Sequence, residues 1–289
     1  PLITLTPNTT ANSYYEWNTT SSWNLYAAPF SALEGTNSIY FFSVDASLNT
    51  ESYQSQVLKV DTLLPGAFSL QSPTDSAWVN DSTPSISWSA SSDANSGLKE
   101  YRLFINASLD STVSASTLET IPSSLSEGTH SFRVEAKDNA GNLRVSGTRS
   151  VSVDLPNPTG SIEINAGAPS TNDENVTLTL NYGDNLSGVK EVRYQNEGDA
   201  WSSWEAPTSS KSWTLLSGDG GKKVRYEIKD NAGNLSSVYE DTIMLDTNPP
   251  ITTLTTNPAA PDGEGGWFIS TPLITLTPNT TANSYYEWN

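Results

Sequence analysis

The chain repeats part of itself over a long distance. Residues 1–18 read PLITLTPNTTANSYYEWN, and residues 272–289 carry the same eighteen letters, so the outer period is 271 residues. Identity over this length indicates duplication of a long unit. We therefore expect a parent protein that carries the unit several times, and we interpret the 289 residues as one period plus an overlap, with both chain ends internal to that protein.

A shorter repeat lies within this period. The motif DNAGN occupies 138–142 and 230–234, and DASLN at 45–49 is a degenerate copy. A glycine lies ten residues before each leading aspartate, and a second aspartate follows sixteen residues after it; the sets are Gly35, Asp45 and Asp61; Gly128, Asp138 and Asp154; and Gly220, Asp230 and Asp246.

These fixed offsets predict the domain boundaries. Residues 1–61 form the C-terminal part of one domain, and residues 62–154 and 155–246 are complete domains. Residues 247–289 form the N-terminal part of the next copy of the first domain, because they end in the repeated eighteen residues.

The stretch between each glycine and its aspartate has a strand pattern. Apolar residues alternate with charged ones in residues 132–137 and 224–229, which is typical of a half-buried antiparallel strand. DNAGN then reads as a hairpin turn, because Asn and Gly tolerate positive φ. Short strands between turn signals, without a helical period, predict β-sandwich domains. The residues predicted to face inward are Ile39, Phe41, Ser43, Phe132, Val134, Ala136, Val224, Tyr226 and Ile228.

Composition excludes several classes of function. The formal net charge is −18 and the chain has no cysteine, so nucleic acid and anionic membrane surfaces are disfavoured as partners, and no disulfide or cysteine nucleophile exists. No apolar run is long enough to predict a membrane span. A single histidine and the absence of nucleotide or metalloprotease motifs argue against an enzyme. We interpret that residue, His130, as a surface residue of a strand.

Two further motifs carry a family resemblance. D-x-x-S-G-[LV]-K-E occurs at 93–100 and 184–191, and W-x-x-[YW]-x-A-P occurs at 23–29 and 201–207. With PAAPDG at 258–263, the chain resembles tandem bacterial and archaeal immunoglobulin-like modules of extracellular surface proteins, adhesins and surface-layer or filament proteins. Residues 65–154 are most similar to fibronectin type III-like modules. The resemblance implies an all-β fold of tandem β-sandwich domains in an elongated array, secreted to the cell surface.

The expected function is structural. Identical repeats suit a component of an extracellular fibre, stalk or cell-surface coat, whose main partner is itself, through neighbouring repeats or chains. Two alternatives remain open: an adhesin stalk with a glycan- or protein-binding surface, and a non-catalytic spacer of a secreted glycosidase. No cofactor is required by any of these readings.

Six aspartates form a candidate calcium set. In a fibronectin III topology, the loops that carry them meet where two domains join, which gathers the residues into two groups. The alternative is that each aspartate caps its own turn. The groups are Asp61, Asp93 and Asp138, and Asp154, Asp184 and Asp230.

Aromatic residues and asparagines supply two weaker candidate sites. Trp23, Tyr26, Trp201 and Trp204 are candidates for a glycan-stacking platform; the alternative is core or interdomain packing. Since residues three apart cannot share one side of a regular strand, one tryptophan of the 201–204 pair is expected to be exposed. Acceptor motifs for N-glycosylation begin at Asn8, Asn18, Asn80, Asn106, Asn175, Asn185, Asn234 and Asn279.

Overall fold

The computed structural model describes residues 1–287, and residues 288–289 of the predicted last segment lie outside the described residues. The only helical elements in the described part are two 3-10 turns, Asn165–Gly167 and Glu264–Gly266. All other regular elements are strands, which confirms the all-β class. The chain divides into two compact units: 1–157 with 184–188 and 230–234, and 158–183 with 189–229 and the chain from 235 onward.

Six strands occupy the first sixty residues of the first unit. They form a four-stranded sheet in the order β3-β2-β5-β6 and a separate β1-β4 pair, all antiparallel. Packing is mainly aromatic, with Tyr15 stacked on Phe30 at 3.9 Å between ring centroids. The strands are β1 (Leu2–Ile3), β2 (Ala11–Trp17), β3 (Asn24–Leu25), β4 (Phe30–Ser31), β5 (Gly35–Asp45) and β6 (Gln54–Val60).

The remainder of the first unit is a β-sandwich. One sheet has the order β12-β9-β7, and the other has the order β11-β10-β13-β15-β8 with β14 beside β13. Both sheets contribute to one buried cluster, in which Trp88 meets Tyr101 at 5.3 Å. The strands are β7 (Leu70–Ser72), β8 (Ala77–Val79), β9 (Ile86–Trp88), β10 (Leu98–Ile105), β11 (Ser108–Ser114), β12 (Glu119–Thr120), β13 (Gly128–Asp138), β14 (Leu143–Val145) and β15 (Arg149–Val153).

The second unit contains a sandwich of the same plan and a separate hairpin. Its sheets have the orders β16-β18-β20 and β17-β22-β21-β19, and β23 pairs only with β24. A second buried cluster joins the two sheets of the sandwich. The strands are β16 (Thr159–Ile164), β17 (Ser170–Thr171), β18 (Asn175–Gly183), β19 (Val189–Asn196), β20 (Ser210–Thr214), β21 (Gly220–Asp230), β22 (Tyr239–Leu245), β23 (Thr252–Asn257) and β24 (Leu273–Pro278).

Both sandwiches divide their first strand between the two sheets. β7 pairs antiparallel with β9, whereas β8 runs parallel to the last strand β15. β16 and β17 repeat this arrangement with β18 and β22. The crossing gives an outer strand to each sheet, which pairs with the neighbouring strand and becomes a short edge itself.

The alternation predicted for the long strands is confirmed in both sandwiches. Phe132, Val134 and Ala136 are at most 1% exposed, and residues 224, 226 and 228 are fully buried. In the first segment Ile39 is buried, but Phe41 and Ser43 are only half-buried.

His130 is buried rather than exposed, so the interpretation as a surface histidine is wrong. It lies at 9% exposure on the inward face of β13. Its Nε2 donates to the carbonyl of Ser126 at 2.9 Å, and its Nδ1 accepts from the Asn106 side chain at 2.9 Å. Both ring nitrogens are satisfied, so the histidine fastens the β10–β11 turn to β13.

Tyr226 tests the second core. Its ring is fully buried and stacks on Tyr194 at 5.4 Å, its hydroxyl has no hydrogen-bond partner, and burial raises its pKa. We expect Tyr226→Phe to leave the free energy of unfolding unchanged or raise it by up to about 1 kcal/mol, because it removes an unsatisfied polar group. Tyr226→Ala should cost about 3–5 kcal/mol through the cavity it creates.

Urea unfolding of the 289-residue chain at pH 7, followed by circular dichroism, measures both variants. If Tyr226→Phe lowered the free energy of unfolding by more than about 1 kcal/mol, the hydroxyl would be shown to make a stabilising hydrogen bond in solution.

Candidate metal centre and aromatic clusters

Each DNAGN motif is a turn organised by its own aspartate. Asp230 is fully buried, and its Oδ1 accepts the backbone N–H groups of Gly233 at 2.7 Å and Asn234 at 2.8 Å. Its Oδ2 accepts from Nδ2 of Asn234 at 2.8 Å. Gly233 has φ +101°, a conformation that side chains other than glycine rarely adopt. Asp138 makes the same three bonds within 138–142.

The second loop, D-x-x-S-G, is tied to this turn. Oδ2 of Asp184 accepts the backbone N–H groups of Leu186 at 3.0 Å and Gly188 at 2.7 Å. The side-chain amide of Asn231 then donates to the carbonyls of Ser187 and Gly188, both at 2.9 Å. In the other copy, Asn139 makes the equivalent bonds to residues 96 and 97.

The aspartate that follows a strand end completes each arrangement. Oδ2 of Asp154 accepts the N–H of Ser187 at 2.9 Å, and its carbonyl accepts from Asn234 at 2.9 Å. Asp61 makes the corresponding bonds to Ser96 and Asn142, both at 3.1 Å. In both copies, hydrogen bonds therefore join three equivalent segments: the aspartate after a strand end, the D-x-x-S-G loop and the DNAGN turn.

The structure brings the six aspartates together in the two predicted groups. We call Asp61, Asp93 and Asp138 the first aspartate group, and Asp154, Asp184 and Asp230 the second aspartate group. In each group, one carboxylate oxygen from every residue lies within 4.8 Å of the other two. The turn-capping alternative also describes these residues, since one oxygen or both accept turn N–H groups. Metal binding itself stays a prediction.

Charge makes these groups costly without a counter-ion. Within residues 1–287, no lysine or arginine forms an ion pair with the second aspartate group. Carboxylate oxygens within 4.8 Å of one another repel when the groups are ionised. In the first group, hydrogen bonds, chiefly from the Ser96 side chain, lower the pKa of Asp61.

Two of the three tryptophans of the candidate glycan platform, Trp201 and Trp204, contact one arginine. The guanidinium of Arg193 lies 4.6 Å from the Trp201 ring centroid and 4.5 Å from that of Trp204. Nζ of Lys229 lies 4.4 Å from the Trp204 ring. Both tryptophans are half-buried, so the expectation that one of them is exposed is wrong; it assumed a regular strand, and residues 201–204 are not in one. The cations occupy ring surface that a sugar would need.

The other aromatic pair is packed internally. Trp23 meets Phe42 edge-on at 4.6 Å, and Tyr26 meets Phe30 at 6.1 Å. Glycan binding by any of these four residues stays a prediction.

The acceptor asparagines differ in access. Asn234 is 8% exposed, and its side-chain nitrogen, to which a glycan would be attached, already donates two hydrogen bonds. The remaining acceptors are exposed: Asn8, Asn18, Asn80, Asn106, Asn175, Asn185 and Asn279.

Proteins similar to this chain are found among solved structures. No family model matches the chain, and no curated protein matches it. Among solved structures, the chain is similar to the fibronectin(III)-like modules of CbhA from Clostridium thermocellum, with 14% identity, a TM-score of 0.45, and coverage of 62% of this chain and 94% of that one.

Two further fibronectin arrays are similar. The FN1–FN3 domains of chicken CNTN1 give 12% identity and a TM-score of 0.39, covering 81% of this chain and 89% of that one. The central fibronectin-III array of RIM-binding protein gives 15% identity and a TM-score of 0.24, covering 73% of this chain and 78% of that one. The class of this chain, tandem β-sandwich modules, rests on its own strand pairing. Among residues 1–287, no helix is long and apolar enough to cross a membrane.

Asp138 tests the turn-capping role. Asp138→Ala leaves the turn N–H groups of residues 141 and 142 without their acceptor, so we expect a loss of about 1–3 kcal/mol in unfolding free energy in the presence of chelator. Asp138→Asn keeps an acceptor oxygen and should lose less. Urea denaturation of the two variants with EDTA measures this difference, and an alanine variant as stable as the parent chain would contradict the capping role.

Proposed function

We propose that this chain is a non-enzymatic segment of a large tandem-repeat protein that builds an extracellular fibre, stalk or cell-surface coat. Its β-sandwich modules serve as structural spacers, and its principal partner is the neighbouring repeat. The observation that supports this proposal is the behaviour of one repeated segment in its two copies.

Identical residues adopt different pairings at the two ends of the chain. LITLTP occurs at 2–7 and at 273–278. In the second copy all six residues form β24, which pairs along its whole length with β23. In the first copy only Leu2–Ile3 is a strand, and it pairs with β4. Because the sequences are the same, the difference comes from the strand that lies beside each copy.

In this proposal the two ends correspond to two parts of one module. Residues 247–271 contain β23, and residues 1–61 contain the sheet β3-β2-β5-β6. The β23–β24 hairpin leaves apolar side chains of one face in water, with Leu254 at 61% exposure and Ile274 at 37%. In a continuous array these side chains would be buried against residues equivalent to 1–61, giving a module of 86 residues.

Joining the two parts tests the repeat. Residues 247–271 fused directly to residues 1–61 should unfold cooperatively and at a higher temperature than residues 1–61 alone, because the added strand pairs with residues 2–7 and buries apolar surface. Differential scanning calorimetry measures both transitions.

The control is the same fusion with Leu254→Asp, which places a charge on the added strand. It should lose most of the gain in melting temperature. A fusion that melts like residues 1–61 alone would show that the module boundaries are wrong.

Imaging the parent assembly tests the fibre. Three modules with strands of about eight residues advance on the order of 100 Å, so electron cryomicroscopy of native material should show a constant axial period near this length. Short separate rods with a distinct globular end would contradict the fibre. They would favour a stalk for an adhesive tip or a spacer of a secreted glycosidase.

A further inference from the structure

Three unsatisfied polar atoms lie in and beside the second aspartate group. Oδ1 of Asp154, Oδ1 of Asp184 and Oγ of Ser187 have almost no contact with solvent and no hydrogen-bond partner among the described residues. Asp154 is fully buried. A buried carboxylate oxygen without a partner is strongly unfavourable, so its presence indicates a ligand for that oxygen.

Two of the corresponding atoms in and beside the first aspartate group have partners. Oδ1 of Asp61 accepts the backbone N–H of Leu63 at 3.1 Å, and Oγ of Ser96 accepts the N–H of Ala140 at 3.2 Å. Asp61 is also partly exposed to water. The two groups share their loop sequences and most of their hydrogen bonds, so the difference lies in a few positions around them.

A proline accounts for the unsatisfied oxygen of Asp154. The donor to Asp61 is the N–H two residues further along the chain, at Leu63. Two residues after Asp154 the chain has Pro156, which carries no N–H. The local partner of this oxygen is therefore removed by the sequence, while burial also excludes water from it.

We propose that the second aspartate group binds one calcium ion and that Pro156 keeps the Asp154 oxygen available for it. Calcium prefers carboxylate and carbonyl oxygens at 2.3–2.6 Å, so two ligands of one ion lie at most about 5 Å apart. The 4.8 Å limit on the three carboxylate oxygens agrees with that span. The ion also offsets the repulsion among three carboxylates that no lysine or arginine of the described chain neutralises.

The bound ion links three chain segments. Asp154 follows β15, Asp184 begins the loop 184–188, and Asp230 begins the turn 230–234. Calcium stabilises this folded arrangement in proportion to the logarithm of its concentration above the dissociation constant. The first aspartate group, whose oxygens are already bonded or exposed to water, binds calcium more weakly or not at all.

Calorimetric titration of the whole 289-residue chain, stripped of metal with EDTA, tests the site. The expected result is one calcium ion per chain and a melting temperature that rises with calcium concentration. Asp154→Asn should abolish the binding heat, and the matched substitution Asp61→Asn should leave it unchanged. Far-UV circular dichroism of both variants controls for folding, and Asp184→Asn replaces Asp154→Asn if the latter is misfolded.

The role of the proline has its own test. Pro156→Ala restores an N–H two residues after Asp154, so it should weaken calcium binding by about tenfold, because that donor competes with the ion for one oxygen.

The site would be overturned if the parent chain gave no binding heat and no shift in melting temperature up to millimolar calcium. Equal losses for Asp154→Asn and Asp61→Asn would overturn its assignment, and unchanged affinity of Pro156→Ala would overturn the role of the proline.

Discussion

The buried carboxylate at the end of the longest strand organises both sandwiches. β13 and β21 end at Asp138 and Asp230, each fully removed from solvent. The carboxylate accepts two backbone N–H groups and one side-chain amide of the turn that follows, so it determines the shape of that turn. The asparagine it holds then donates to the carbonyl at residue 61 or 154. Without this carboxylate, three donors of the turn, which are buried or partly buried, would lose their acceptor at once.

Much of the fold follows from spacing because strands are regular. Side chains alternate across a strand, so the apolar alternation predicted where the strands lie. A glycine and an aspartate ten residues apart then delimit an eleven-residue strand three times, as β5, β13 and β21. That three aspartates come together within each aspartate group could be predicted for a similar reason. Loops that connect strands of equal length in the same order return to the same end of a sandwich, whatever their detailed conformation.

The errors have local physical causes. Alternation places His130 on the same face as Phe132, so the pattern already indicated burial, and the polarity of histidine misled the interpretation. Trp201 and Trp204 lie in an irregular segment, where strand alternation does not apply, and both rings contact Arg193. Phe41 and Ser43 are less buried than their equivalents, and the only other sheet in residues 1–60 is the pair of two-residue strands β1 and β4.

Capping a turn and binding a cation are compatible roles for one aspartate. A carboxylate has two oxygens, and in Asp154 and Asp184 one oxygen accepts backbone N–H groups while the other has no partner. The hydrogen bonds hold the side chain in position, and the second oxygen determines the affinity for an ion. The residue two positions after the first aspartate of the group then decides between two roles. If that residue has an N–H, the arrangement is only structural; if it is proline, the arrangement is also a calcium site. Tandem modules can thus share one loop architecture and differ in metal binding, with little change in the residues that a motif search would compare.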